Sequence, residues 1–125
     1  MKSVFYLERD DFIKMTVEKV LKRAEIECFT TSECGDAHYL INDLSPDLVL
    51  FDLKFCYPEH KSLIESLMKD SEIPFAALAF EKDVEESAQK WLDDSKIPLL
   101  LKPLKVATMI EDFKQLQAKF KSWRS

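Results

Sequence analysis

Five short apolar runs punctuate the chain, at Val4 to Leu7, Ile26 to Thr30, Leu48 to Phe51, Phe75 to Ala79 and Leu99 to Leu101. Val49, Leu50 and Phe51 are apolar without alternation, the pattern of a strand covered on both faces. Between the runs the period becomes helical. Ile13, Val17, Val20, Leu21 and Ala24 share one helix face after the first run. Ala37, Leu40, Ile41 and Leu44 support a shorter helix in the second interval, Cys34 to Leu44. Leu63, Ile64, Leu67 and Met68 mark the third helix, and Val84, Ala88, Trp91 and Leu92 the fourth. Met109, Ile110, Phe113, Leu116 and Phe120 form the fifth and longest stripe.

Strands alternating with helices at this spacing predict a doubly wound parallel α/β sheet, a (βα)5 domain with right-handed crossovers. The 125 residues suffice for one core, and no linker, repeat or low-complexity segment divides them. In open α/β sheets, ligands sit beyond the carboxyl ends of the strands, where strand order reverses. Three such ends carry charge here. "VFYLERDD" places Glu8, Arg9 and Asp10 past Leu7, "PDLVLFDLKF" ends its strand in Asp52 with Lys54 close behind, and "LLLKPL" places Lys102 before Pro103.

Composition removes several classes of function. A net charge of −5 and a pI near 5.1 give no electrostatic reason to expect nucleic-acid binding. The densest basic cluster, Lys119, Lys121 and Arg124, reads as a solvated tail. No apolar stretch approaches the ~20 residues that span a bilayer. With one glycine, Gly35, the chain has no phosphate-cradling glycine loop, and no Ser/His or Cys/His arrangement points to nucleophilic catalysis. A cofactor-binding or enzymatic protein using the same strand-end crevice is therefore disfavoured, and neither cofactor nor enzymatic activity is expected. Cys28, Cys34 and Cys56 have no metal or redox spacing and read as reduced thiols of a cytoplasmic protein. Cys56 falls in an expected loop near Asp52, which makes it the one candidate for a reactive thiol. His38 and His60 are isolated and read as surface residues, Trp91 as core, and Trp123, beyond the last stripe, as exposed.

An acid pair after strand one, an Asp ending strand three and a Lys before Pro after strand five together resemble the receiver domain of two-component response regulators. The resemblance runs from "SVFYLERDD" through "SPDLVLFDL" and "IPFAALA" to "IPLLLKPL". It implies a flavodoxin-like fold with strand order 2-1-3-4-5 and a cis Lys102–Pro103 bond. It assigns Asp52 as the equivalent of the aspartate that accepts a phosphoryl group from a histidine kinase. Glu8 and Arg9 occupy the positions of two acids that hold Mg²⁺, Lys102 that of the site lysine, Ala79 that of a switch hydroxyl and Leu99 that of a switch aromatic.

The pattern is half kept. Asp52, Lys102 and Glu8 match; the second acid, the hydroxyl and the aromatic do not. Arg9 offers no oxygen ligand and brings a cation to the metal position, leaving Glu8 and Asp52 as the acids that match, with Asp10 as a substitute ligand. At an effective dielectric near 20, unit charges ~4 Å apart interact by about 4 kcal/mol, and a divalent ion doubles that, so Mg²⁺ binding is expected to be weakened. Arg9, Lys54 and Lys102 are expected to surround Asp52, to stand in for the metal and to depress the Asp52 pKa. Ala79 and Leu99 together suggest that the conformational relay has been abandoned. "KFCYPEH" also departs from the family's loop, with Pro58 late and His60 where a glycine is usual.

The resulting expectation is a single receiver-like domain over residues 1–125 without an output domain, a degenerate or pseudo-receiver. It would act by phosphorylation-independent contact with signalling proteins, a histidine kinase or another regulator, through the face built from helix four, strand five and helix five. The alternative is a functional single-domain response regulator that accepts a phosphoryl group on Asp52.

Overall fold

In the computed structural model the backbone is described over residues 1–124. The side chains of 106, 110, 117 and 119–124 fall outside the description, as does residue 125. The expectations for Ile110, Phe120, Trp123 and the Lys119, Lys121 and Arg124 tail therefore lie outside the described residues.

Five strands, β1 (Ser3–Leu7), β2 (Glu27–Thr31), β3 (Leu48–Asp52), β4 (Phe75–Ala79) and β5 (Leu99–Leu101), form one sheet in the order β2-β1-β3-β4-β5. Every neighbouring pair is parallel. Five helices flank it: α1 (Asp11–Arg23), α2 (Ala37–Leu44), α3 (Lys61–Asp70), α4 (Glu86–Asp94) and α5 (Val106–Arg124). This is the doubly wound parallel sheet that the strand and helix pattern predicted, in the flavodoxin-like order that the receiver resemblance implied.

The alternation of the strands sorts the core into two layers. Phe5, Leu7, Val49, Phe51, Phe75, Ala77 and Ala79 face α2, α3 and α4, where Ile41, Ile64, Leu67, Trp91 and Leu92 complete the packing. Val4, Tyr6, Leu48, Leu50, Ala76 and Leu78 face the other way, onto Val17 and Leu21 of α1 and Met109, Phe113 and Leu116 of α5. Both faces of β1, β3 and β4 are thus covered, which is why their sequences are continuously apolar.

The boundaries follow local chemistry. Asp10 caps α1, its Oδ1 accepting from the Ile13 N–H at 3.1 Å. With a single glycine in the chain, three turns adopt positive φ on ordinary residues, at Glu25 (61°), Ser45 (45°) and Lys96 (58°), each just beyond a helix. Ile26 precedes β2 instead of opening it, because its N–H returns to the Leu21 carbonyl at the end of α1. The periodicity did not anticipate a helical turn at Leu53–Cys56 and two 3₁₀ turns at Cys34–Asp36 and Glu81–Asp83. Tyr57–Pro58 and Lys102–Pro103 are both cis.

Candidate functional site

The registers bring the charged strand ends together. Leu7 pairs with Phe51 and Asp52 with Leu78, so β1 and β3 end at nearly one level, and Lys102 is anchored to β4 by its N–H on the Ala79 carbonyl at 2.8 Å. Glu8, Asp52 and Lys102 are buried, although all three are ionisable. Lys102 bridges the two acids: its Nζ donates to Glu8 Oε1 at 2.7 Å and to Asp52 Oδ1 at 2.8 Å. Its third side faces the Phe80 ring, 5.4 Å from the centroid, a cation–π contact.

Glu8 is saturated with donors. Its Oε1 also accepts from the Tyr6 hydroxyl at 2.6 Å, and its Oε2 accepts from the backbone N–H of Arg9 at 3.1 Å and of Asp10 at 3.5 Å. Burial, then the bond to the Glu8 carboxylate, pushes the Tyr6 phenol far above its ordinary range, so it stays a donor. Asp52 makes a second bond, Oδ2 accepting from the Phe55 N–H at 3.0 Å, which caps the turn at Leu53–Cys56.

Two expectations about this site are corrected. The Asp52 carboxyl lies above its ordinary pKa, not below it. Loss of solvation on burial is the largest cause, and the nearby Glu8 charge adds to it; both outweigh Lys102 and the Phe55 N–H. Two carboxylates against one ammonium leave a net negative charge in the cluster. Of the three cations expected at Asp52, only Lys102 pairs with it among the described residues. The Arg9 guanidinium lies over the Phe55 ring at 5.4 Å, and Lys54 is exposed on the rim with no ion pair to Asp52 among the described residues. Side chains two positions apart leave a strand end in directions that sequence alone does not give.

Cys56 is also reassigned. It lies in the helical turn with no exposed surface, and burial raises its thiol far above the usual range, the opposite of an activated nucleophile. Ala79 closes β4, fully packed, and Leu99 pairs with Ala77 and joins the core face shared with α4. His38 is exposed and 3.4 Å from Asp70; His60 meets the Phe55 ring edge-on at 5.4 Å.

Above the cluster opens a cavity of about 460 Å³, lined on its rim by Arg9, Asp10, Lys54, Lys82 and Asp83. Phe80 and Lys82 were absent from the sequence reading. Phe80 follows Ala79 directly and Lys82 comes two residues later, and the position after the expected switch residue was the available signal. Among the described residues no group of three or more His, Cys, Asp or Glu is arranged to hold a metal ion. No helix among them is long and apolar enough to cross a membrane.

No family model and no curated protein matches the chain. Solved structures do. The receiver domain of a modulated diguanylate cyclase from Desulfovibrio desulfuricans superposes with a TM-score of 0.83 over 97% of this chain and 97% of that one, at 16% identity. This chain has a receiver-domain fold. A response regulator from Thermotoga maritima gives a TM-score of 0.77 at 17% identity, covering 93% of this chain and 97% of its own. NtrX from Brucella abortus gives 0.80 at 21% identity over 99% of this chain, which spans 28% of the NtrX chain.

Proposed function

We propose that this protein is a receiver-type signalling module of the two-component class that works by protein–protein contact without phosphoryl transfer. The observation that carries this reading is the state of Glu8. Its carboxylate is committed to Tyr6, Lys102 and two backbone N–H groups, and the position beside it is Arg9. Mg²⁺ needs several free oxygen ligands in near-octahedral array. Asp10 is partly committed elsewhere, its Oδ1 accepting the capping bond of α1. The Lys102 ammonium already neutralises part of the acid pair, and a divalent ion placed there would meet it as a like charge. The residues do not fit the metal, and in-line phosphoryl transfer without it lacks its main stabiliser.

The relay positions support the same reading. Ala79 has no hydroxyl to draw toward a phosphoryl group, and Leu99 is an aliphatic side chain half-buried against the core. The contact surface of this reading is the α4–β5–α5 face, where Leu101 stands 50% exposed at the sheet edge. Partners are signalling proteins, a histidine kinase or another regulator.

A second reading, a working phosphoacceptor, has one observation in its favour: Asp52 opens onto the 460 Å³ cavity, with its side chain 12% exposed. Amide NMR separates the two. With millimolar Mg²⁺, and then with Mg²⁺ and beryllofluoride, the expected spectrum is unchanged around Asp52. Shifts spreading from Asp52 through Ala79 to β5 would establish a functional switch and overturn the first reading.

A further inference from the structure

Cys34 and Cys56 come from different strand ends and meet on one face of the sheet. Leu7 pairs with Thr31 on one side and with Phe51 on the other. Thr31 and Phe51 therefore stand at the same level, about 10 Å apart at two strand spacings. From there the chain turns inward twice. Cys34 opens the 3₁₀ turn Cys34–Asp36, and Cys56 closes the turn Leu53–Cys56. Both side chains enter the same apolar layer, with Ala37, Leu53 and Phe55, where the two thiols are close enough to affect each other. Cys28 packs against the opposite layer and is out of reach of either.

We propose that Cys34 and Cys56 are a redox modification site, closing to an intramolecular disulfide when the protein meets a low-molecular-weight disulfide oxidant. Cys34 meets the oxidant first, being 9% exposed where Cys56 is fully covered. Its thiol gives a proton to solvent, and the thiolate attacks the oxidant, breaking the oxidant's S–S bond, forming a mixed disulfide and releasing one thiolate. Cys56, on losing its own proton, attacks the Cys34 sulfur, forming the Cys34–Cys56 bond and releasing the second thiolate. Two protein thiols lose two electrons and two protons, and one small disulfide is reduced to two thiols.

The surroundings make this reaction slow. Burial raises both thiols; Glu33 and Glu59 add to the effect at Cys34, and Asp52 and Glu8 at Cys56. The site therefore responds to sustained oxidation, not to brief exposure. Its consequence is local to Asp52. The turn that would be tethered carries the Phe55 N–H bonded to Asp52 Oδ2, so the new bond would pin that donor to the end of β2.

The test is incubation of the native protein with excess oxidised glutathione, acid quench, alkylation in denaturant and mass spectrometry. The expected product has lost the mass of two hydrogens, its alkylatable thiols fall from three to one, and a cross-linked peptide joins Cys34 to Cys56. The Cys28→Ser variant, which leaves both core thiols in place, should form the same cross-link. Retention of all three thiols, a persistent glutathione adduct without a cross-link, or a cross-link through Cys28 would overturn the proposal. Hydrogen exchange of the Phe55 amide reads the coupling: slower exchange after oxidation is expected, and an unchanged rate would refute the link to Asp52.

Discussion

Lys102→Met removes the ammonium from the site and keeps most of the stem's volume. The Lys102 side chain is 4% exposed, and the two acids it bridges are 2% and 12% exposed. Taking one partner out of a buried ion cluster costs about 3–5 kcal/mol, because the remaining charges stay buried without compensation. At roughly 3–5 °C per kcal/mol for a domain of this size, Tm should fall by about 10–20 °C. The loss should depend on pH. Asp52 already has a raised pKa through burial, and removal of the cation raises it further. A carboxyl raised in the native state favours folding while protonated, and that advantage is lost as pH rises from the unfolded value near 3.9 through the native one. The deficit of Lys102→Met should therefore shrink between pH 7 and pH 5, and a second change, Asp52→Asn, should recover most of it at pH 7. Urea unfolding followed by tryptophan fluorescence at both pH values is the assay. A deficit under about 1 kcal/mol, equal at both pH values, would show an ordinary exposed ion pair and refute the reasoning.

Three further outcomes are expected. Asp10→Ala should cost about 1 kcal/mol in chemical denaturation by removing the cap on the Ile13 N–H, and an unchanged denaturation midpoint would contradict the capping role. Asp47 accepts from the Lys2 and Ser3 N–H groups at 2.7 and 3.0 Å, and those bonds hold its pKa below the usual carboxylate range. Its stabilising contribution is complete above about pH 4 and lost as pH falls through the native value, so Asp47→Asn should lower Tm at pH 7 and converge with the parent near pH 2. Lys96→Gly should raise stability by about 0.5–1 kcal/mol, because φ of 58° is strained for a side chain and free for glycine; a drop in Tm would contradict it.

The parallel α/β architecture was legible from the sequence, with the strand order supplied by the receiver resemblance, because a parallel sheet covered on both faces leaves a signal that survives without coordinates. Continuous apolar runs at Val49 to Phe51 and Phe75 to Ala79, separated by helical stripes, admit few folds. The same logic located the site, since polar residues directly after buried strands must emerge at the sheet's carboxyl edge. Glu8, Asp52 and Lys102 were found that way, and the tertiary structure joins them across 50 and 94 residues.

What the sequence could not supply was direction and solvation. Arg9 and Lys54 sit at the right places in the chain to neutralise Asp52, yet one lies over Phe55 and the other points to the rim. Charge counting in one dimension predicts a depressed pKa, whereas burial, a property of the whole packed core, raises it. Tyr6 shows the same division. In the sequence it is one more apolar strand residue; in the fold its hydroxyl meets Glu8 at 2.6 Å and fills an acceptor site that a metal ion would need. Cys34 and Cys56, 22 residues apart and without motif spacing, meet only because β1 lies between β2 and β3 and both turns fold toward the same layer. Periodicity records which face of an element is buried; only packing decides which side chains share that burial and what it does to their charge.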